Sequence, residues 1–306
     1  MPVGNIAIMT DDPGWHGARL REAFEQYGYA SEYISLTDCQ LAVDSEQLPV
    51  RVPGFPDKLP DGVFVRGVPG GSLDEVILYL DVLHALQHLG ITVYNDGRAI
   101  ERSVDKAMTS FLLQQADIPT PGTWIVRCPM QAKEIAEREL RAGHGVVTKP
   151  LFGSQGEGLL RLQSVEDLPR LTSSNGVYYM QRFVESSDQS SHDWRVFVIR
   201  GKAVAAMRRY GSGWLNNVAQ GARCEVAAVS GQLSSLGEAA VNALNMSYGG
   251  VDIICNRQGE YSVLEVNSIP AWKGLQSVCG LNIGELLVED FLAHCRESSS
   301  PARVVS

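Results

Sequence analysis

The feature that most constrains this chain is an alternation of short apolar runs and helical segments over residues 1–95. In the longest helical segment, Ser72 and Glu75 have the spacing of a capping box, and Gly90 marks the end of the helix. Strands that alternate with helices predict a small parallel sheet, and therefore an α/β fold class. The runs with the length and β-branched content of strands are "NIAIMT" (5–10), "DGVFVRG" (61–67) and "ITVYN" (91–95).

The rest of the chain has more α+β character. A helix is predicted over residues 103–118, and it ends before Pro119 and Pro121. Short β-rich segments then follow one another closely, as in hairpins, with further helices over residues 237–244 and 284–294. We expect four parts: an N-terminal α/β domain (1–96), a central lobe (97–178), a C-terminal lobe (179–296) and a flexible tail (297–306).

Composition argues against several classes of partner. The 306 residues carry a net charge of −9, whereas nucleic-acid binding needs clustered Lys and Arg. No apolar run approaches the ~18 residues of a membrane span, and the N-terminus has neither the basic nor the apolar region of a signal peptide. The six cysteines are scattered without a C-x-x-C pair, which fits a reducing compartment. We expect a cytoplasmic protein without nucleic-acid or membrane partners, and a homo-oligomer is compatible with this composition.

The segment "YSVLEVN" (261–267) places polar side chains on an apolar strand. Side chains alternate along a strand, so Glu265 and Asn267 share one face. Asp252 lies on "GGVDIIC", and the intervening turn predicts a hairpin that brings it to the same face. A polar pair on one strand also fits a solvated edge. Three oxygen-bearing side chains together, however, suit Mg²⁺, which proteins usually share with substrate phosphates.

Two lysines are candidates for phosphate binding. Lys149 ends the predicted strand "GVVTKP" and precedes the glycine-rich stretch "LFGSQGEG", whose backbone N–H groups can bind phosphate oxygens. Lys106 falls in the first turn of a predicted helix. A plain hairpin turn and a solvated lysine remain the alternative explanations. The stretch is neither a Walker A loop nor a Rossmann fingerprint.

Three arginines are candidates for binding a carboxylate or a phosphate. Arg208 and Arg209 end the predicted strand "KAVAAMRRY", so they face opposite ways and at most one of them points to a site. Arg66 ends a strand of the N-terminal sheet, where open α/β sheets bind ligands. Structural salt bridges are the alternative.

The order of these motifs along the chain resembles the order found in the ATP-grasp ligases, and within them in the RimK-type glutamate ligases. The resemblance covers residues 5–295 and depends on "DGVFVRG", "NDGRAIERSVDKAMTSFLLQQADIPTPGTW", "HDWRVFVI", "GGVDII" and "LEVNSIPAWKGL". It implies an ATP-grasp fold, in which two α+β lobes that bind ATP follow a small N-terminal domain.

The resemblance also implies roles for individual residues. ATP-binding roles fall on Lys106, Lys149, Gly153, Ser154, Gln155, Gly156, Gln181, Arg182, Phe183, Val184, Asp193 and Asn216. Catalytic roles on the phosphate and carboxylate side fall on Arg208, Arg209 and Asn217. The magnesium ligands are Asp252, Glu265 and Asn267, and the substrate side has Arg66, Trp272 and Lys273.

The implied activity is a carboxylate–amine ligation that uses ATP and Mg²⁺, with Mn²⁺ as an alternative metal. An acyl phosphate forms first, and an amine, with glutamate favoured, then attacks it. The acceptor is a small molecule, a cofactor or a peptide end. Departures from the family pattern, such as Arg182–Phe183 in the hinge and Pro270–Ala271 after the ligands, leave the acceptor open. An ATP-grasp kinase and a non-catalytic nucleotide-binding protein are the alternatives.

Overall fold

The computed structural model describes residues 2–43, 48–153, 157–186, 192–211, 213–216, 218, 221–229 and 231–298. The chain forms two compact units. The first comprises residues 1–100, 246–248 and 268–306, and the second comprises residues 101–245 and 249–267. The finer division of the second unit into a central and a C-terminal lobe remains a prediction, and most of the predicted tail lies outside the described residues.

The first unit is built on a parallel sheet. The strands of this unit, of which four form that sheet, are β1 (Asn5–Met9), β2 (Ala30–Ile34), β3 (Gln40–Leu41), β4 (Val50–Arg51), β5 (Gly62–Val65) and β6 (Val93–Tyr94). Its helices are α1 (Gly14–Gln26), α2 (Leu73–His88), the start of α3 (Gly97–Val104), α7 (Lys273–Gln276) and α8 (Ile283–Ser298). The sheet order is β2-β1-β5-β6 and every neighbouring pair is parallel. This confirms the prediction of a small parallel sheet.

The cap of α2 is the one that the sequence predicts. The Ser72 hydroxyl accepts the N–H of Glu75 at 3.3 Å, and the Glu75 carboxylate accepts the N–H of Ser72 at 2.7 Å. The helix then buries Val82, Leu83 and Leu86 against the sheet. The predicted helix therefore forms where the capping box and the stop at Gly90 place it.

A buried amide joins the short segments of the first unit. Asn95 is fully buried, and its side-chain N–H₂ donates to the carbonyls of Tyr248 and Ser268, each at 2.8 Å. Its side-chain oxygen accepts the N–H of Ser247 at 2.8 Å. Because an unpaired buried amide is costly, this set of hydrogen bonds specifies where the segments lie.

The helix predicted over residues 103–118 is interrupted. The structure has α3, which ends at Val104, and α4 (Lys106–Gln115), with Asp105 between them in an extended conformation. The Asp105 carboxylate accepts the N–H groups of Ala107 and Met108, so it is the N-cap of α4. A side-chain cap competes with helix continuation, and Lys106 is thereby the first residue of a new helix.

The second unit contains two antiparallel sheets. Its remaining elements are β7 (Thr123–Val126), α5 (Pro129–Arg141), β8 (Val146–Lys149), β9 (Leu160–Leu162), β10 (Tyr178–Arg182), β11 (His192–Ile199), β12 (Lys202–Tyr210), β13 (Arg223–Ala227), α6 (Gly231–Ala243), β14 (Tyr248–Cys255, entering from the first unit) and β15 (Tyr261–Asn267). The first sheet has the order β7-β10-β8-β9, and α5 packs on one of its faces. The α+β character expected for this part of the chain is present.

The second sheet has the order β13-β12-β11-β14-β15. Helix α6 packs on one face, where Gly237 approaches so closely that a Cβ would lie 2.8 Å from a methyl carbon of Val196. The helix therefore covers that face, and the ion pairs of Asp193, Arg195, Arg209 and Asp252 lie on the other one. Within the described residues, no helix is long and apolar enough to cross a membrane.

Candidate active site

The hairpin of β14 and β15 brings three oxygen-bearing side chains together. Asp252 pairs directly with Glu265, and Gly250 pairs with Asn267, ahead of a bulge that follows Asp252. Asp252, Glu265 and Asn267 therefore share one face of the sheet, as the sequence predicts. Asp252 is 6% exposed, whereas the other two side chains are partly buried.

Two arginines bind the Asp252 carboxylate. Arg195 of β11 donates from Nε to Oδ1 and from Nη2 to Oδ2, both at 2.8 Å. Arg209 of β12 approaches Oδ2 at 3.0 Å and also binds both oxygens of Asp193, at 2.7 and 2.8 Å. Four charged side chains thus alternate in sign on the face that α6 does not cover.

This arrangement keeps Asp252 ionised. Burial alone would raise its pKa, but Arg195 and Arg209 outweigh that effect and lower the pKa to about 2. Burial raises the pKa of Asp193 to about 6, against the pull of Arg209. The difference between the two aspartates follows from their partners, because Asp252 has two guanidinium groups and Asp193 shares one.

Arg195 is a residue that the sequence analysis did not single out. It lies two residues after Asp193 on the same strand, and so on the same face. The "D-x-R" spacing was the available signal. By contrast, Asp193 is 6% exposed and bound by Arg209, so the structure places its carboxylate within the ion-pair network instead of on an open surface.

The predicted opposition of Arg208 and Arg209 is observed, and it removes Arg208 from the site. Arg208 donates to the Tyr210 hydroxyl at 3.0 Å and lies 5.1 Å from the Trp194 ring, on the α6 side of the sheet. Trp194 pairs with Arg208 in the same register in which Asp193 pairs with Arg209. The catalytic role expected for Arg208 is therefore corrected, because side chains alternate along β12 and Arg208 and Arg209 lie on opposite faces.

The two candidate lysines lie in the same unit as the carboxylates. Lys149, the last residue of β8, donates to the Gln181 side chain at 2.7 Å. Lys106 donates to the Gly153 carbonyl at 2.8 Å. Burial lowers the pKa of both lysines, and the nearby Glu265 carboxylate opposes that effect in each case. Lys149 is therefore within electrostatic range of both Lys106 and Glu265. Two cations and a carboxylate in such proximity suit a phosphate group with a divalent cation.

The Glu265 carboxylate has no hydrogen bond or ion pair with any residue that the structure describes. Its oxygens are therefore open to a cation. Across the described residues, no three His, Cys, Asp or Glu side chains cluster as a metal site. Asn267, whose side-chain N–H₂ donates to the Gly250 carbonyl at 3.4 Å, adds an amide oxygen on the face that holds Asp252 and Glu265. This donor set fits a hard cation such as Mg²⁺, which accepts two carboxylates and water.

The hinge residues are held by contacts within the β7-β10-β8-β9 sheet and with α5. Gln181 is 2% exposed and binds Lys149, so its side chain orients a lysine. Arg182 donates twice to the buried Glu139 on α5, at 3.0 and 2.8 Å. The N–H of Phe183 donates to the Gly145 carbonyl at 2.8 Å. Val184 follows directly, and adenine binding at this hinge stays a prediction.

Part of the predicted phosphate side cannot be described. Ser154, Gln155, Gly156 and Asn217 lie outside the described residues. Asn216 is 8% exposed, and its side-chain oxygen accepts the N–H of Gly211 at 3.0 Å. This hydrogen bond therefore links Asn216 to Gly211, directly after β12.

The candidate substrate residues form a cluster in the first unit. Arg66 donates to the Ile269 carbonyl at 3.4 Å and lies 5.2 Å from the Trp272 ring. Trp272 is fully buried, so it does not offer an open surface to a substrate. The expected role of Trp272 as a substrate contact is therefore corrected, and its buried ring packs beside the Arg66 guanidinium instead. Lys273 is exposed and opens α7.

His16 is the second residue that sequence analysis missed. Its Nε2 accepts the N–H groups of Trp272 at 3.1 Å and Lys273 at 3.3 Å. Burial, with the charges of Arg66 and Lys273, lowers its pKa to about 4, which keeps it a neutral acceptor. It lies 256 residues from Trp272 in the sequence, and no local motif marks it.

Comparisons with known proteins identify the family. Residues 103–291 match the RimK-like ATP-grasp domain. The chain is 34% identical over 250 residues to a tetrahydromethanopterin:α-L-glutamate ligase of Methanocaldococcus jannaschii, covering 79% of this chain and 82% of that protein. The corresponding protein of Methanococcus maripaludis is 32% identical over 240 residues, covering 76% and 80%.

A solved structure supports the fold. The ATP-grasp ligase PsnB, in a complex with minimal precursor, Mg and ADP, superposes with a TM-score of 0.72 at 19% identity, over 95% of this chain and 98% of that one. The fold expected from the resemblance is therefore confirmed. This chain belongs to the RimK-like ATP-grasp family, and it is an ATP-grasp ligase of the α-L-glutamate ligase group.

Proposed function

We propose that this chain uses ATP and Mg²⁺ to join the amino group of L-glutamate to a carboxylate of an acceptor. The observation that supports it most is the pairing of Asp252 with Glu265 near Lys106 and Lys149. Paired carboxylates and lysines together are the groups that a nucleotide phosphate and a divalent cation require.

The chemistry has two steps. The acceptor carboxylate attacks the γ-phosphorus of ATP, the bond to the bridging oxygen breaks, and ADP leaves with the electron pair. The glutamate amine then attacks the acyl phosphate, loses a proton, and phosphate leaves. Both steps gather negative charge, so positioning and charge neutralisation supply most of the catalysis.

The residues divide this work between them. Lys106 and Lys149 would bind phosphate oxygens, and Gln181 would hold Lys149 in place. Asp252, Glu265 and Asn267 would hold Mg²⁺ or Mn²⁺, which stabilises the charge of the transferred phosphoryl group when bound. Arg195 and Arg209 would orient Asp252 and keep it ionised.

The acceptor is proposed to be an anionic small molecule that ends in a carboxylate. Two relatives are named for tetrahydromethanopterin, which favours a cofactor-like acceptor over a peptide end. In the first unit, Arg66 and the exposed Lys273 are the proposed contacts for acidic groups of a substrate. A cytoplasmic location is part of the proposal, as is the absence of nucleic-acid partners.

The test is ADP formation by the purified protein with ATP, Mg²⁺ and a panel of carboxylate acceptors, with and without glutamate. Glutamate-dependent ADP release, together with a product heavier by one glutamyl residue in mass spectrometry, is expected. Phosphate transferred to a hydroxyl, with no amide product, would favour the kinase alternative. Nucleotide binding without turnover across the panel would favour the non-catalytic one.

A further inference from the structure

Arg161 on β9 is a charged residue that none of the proposed roles uses. In the β7-β10-β8-β9 sheet of the second unit, Arg161 pairs with Val147 of β8, and Val147 pairs in turn with Gln181 of β10. Arg161 therefore lies in one cross-strand row with Gln181. Lys149 lies two residues beyond Val147, on the same face.

That face is the one turned away from α5. Val146, Leu162 and Met180, at the alternate positions of the same strands, pack into the core beneath α5. The face with Arg161 holds Lys149 and its partner Gln181. Arg161 is thus on the side of the sheet where the nucleotide is proposed to bind.

The Arg161 guanidinium is stacked on an aromatic ring. Its central carbon lies 3.5 Å from the centroid of the Phe183 ring, a residue of the predicted hinge. The Phe183 ring in turn meets Trp214 edge to face, at 6.1 Å between centroids. One side of the planar cation is therefore covered, and its position is defined by the packing of the hinge.

Arg161 has hydrogen-bonding capacity to spare. Its Nε is buried and has no hydrogen-bond partner among the residues that the structure describes. The nearby acidic residue, Glu185, forms its own ion pair with Arg257 at 3.0 Å. A buried N–H without an acceptor is costly, so an arginine kept at this position in spite of that cost is expected to serve a function.

We propose that Arg161 is a further nucleotide-binding residue, which stacks the side of its guanidinium opposite Phe183 on the purine base and donates from the edge of the group to the ribose. Guanidinium groups stack on planar aromatic systems, and every nucleobase has a planar aromatic face. The inference rests on the proposed function, because it requires a nucleotide on this face. It assigns base recognition to the pair Arg161–Phe183.

The test compares a ligand that has a base with one that lacks it. ADP binding is measured by calorimetry with Mg²⁺, and tripolyphosphate is measured as a competitive inhibitor of ATP turnover. Arg161→Leu should weaken ADP binding about tenfold and raise the KM for ATP in parallel, the scale for losing a desolvated stacking cation. Tripolyphosphate inhibition should stay within about twofold, and kcat within about threefold.

Two further variants complete the design. Arg161→Lys keeps the charge without the planar group, so it should resemble Arg161→Leu. Arg170→Leu is the matched control, because Arg170 is exposed and pairs with Asp167 in the same unit, and it should bind ADP as the wild type does. Thermal unfolding of each variant shows whether the fold is retained, and Arg161→Lys serves as the test if Arg161→Leu does not fold.

Unchanged ADP affinity in folded Arg161 variants would overturn the inference. So would an equal loss of ADP and tripolyphosphate affinity, since Arg161 would then act on phosphate. Wild-type protein that binds no ADP would instead refute the proposed function, which keeps the two failures distinguishable.

Discussion

Asp252 and Glu265 are paired directly across two antiparallel strands, yet their surroundings differ. Asp252 is buried and bound by two arginines, whereas the Glu265 carboxylate has no ion pair within the described part of the chain. The same face of one hairpin therefore holds one proposed cation ligand whose oxygens also accept from two arginines, and one whose oxygens have no such partner among the described residues. This difference predicts that substitutions at the two positions affect stability unequally.

Glu265→Gln is expected to abolish turnover while leaving the fold intact. The change keeps the shape of the side chain and removes one charge from the proposed cation site, so ADP formation should fall by at least ~100-fold. Because no ion pair is lost, the midpoint of thermal unfolding should stay close to the wild-type value. Glu260→Gln is the control, since Glu260 is exposed in the turn of the same hairpin. Wild-type turnover by Glu265→Gln would disprove the metal assignment.

Arg209→Ala and Arg208→Ala should have opposite outcomes. Removing Arg209 leaves two buried aspartates without a shared cation, which costs roughly 3–5 kcal/mol of unfolding free energy and should cut the rate by at least ~100-fold. Arg208 lies on the α6 side, so its loss should leave the rate within about threefold. Chemical denaturation and steady-state ADP release measure both effects. Equal, mild losses in the two variants would mean that Arg209 is not part of the site.

Lys149→Met should weaken ATP binding more than acceptor binding. A charge-assisted contact to phosphate is worth ~1.5–3 kcal/mol, or roughly a tenfold to hundredfold change in affinity. Calorimetry with ADP and Mg²⁺ is the direct measurement. Lys133→Met on the exposed side of α5 is the matched control, and it should bind ADP normally. An unchanged ADP affinity in Lys149→Met would exclude Lys149 from the nucleotide site.

His16 should make stability depend on pH. Its pKa is lowered from 6.5 to about 4 in the folded protein, mainly by burial. Between those values the unfolded chain binds a proton that the folded protein does not, so acidification favours unfolding. The free energy of unfolding should therefore fall as the pH drops from about 6.5 to about 4.

His16→Gln tests this dependence, because the amide retains an acceptor and cannot titrate in that range. The difference in unfolding free energy between the variant and the wild type should vary across the window and stay constant above it. His88→Gln, on an exposed part of α2, should leave the wild-type profile unchanged. Parallel profiles for wild type and His16→Gln would contradict the assignment.

Local patterns were sufficient for several parts of this protein. The capping box at Ser72, the parallel N-terminal sheet and the hairpin of Asp252 with Glu265 all depend on neighbours in sequence or on strand alternation. Alternation also predicts that Arg208 and Arg209 separate to opposite faces. A period of two places alternate residues on opposite faces, and a short turn brings the two strands of a hairpin together.

Other features required the order of strands in the sheet. Arg195 and Arg209 reach Asp252 because β11 lies between β12 and β14, and nothing in the sequence near Asp252 specifies that order. The helix break at Asp105 was missed because a side-chain cap competes with a helix pattern that otherwise continues.

The sequence by itself determined which residue types are present on which strands, and so the family, the hairpin and the candidate lysines. Only the tertiary structure decided which face of each sheet is covered by a helix. Because α6 covers one face, Arg208 lies on the side opposite the carboxylates. Contacts between distant segments bury Trp272, place His16 beside a loop 256 residues away and stack Arg161 on Phe183. The physical reason is that burial and charge pairing depend on contacts between distant segments, whereas periodicity describes only one segment at a time.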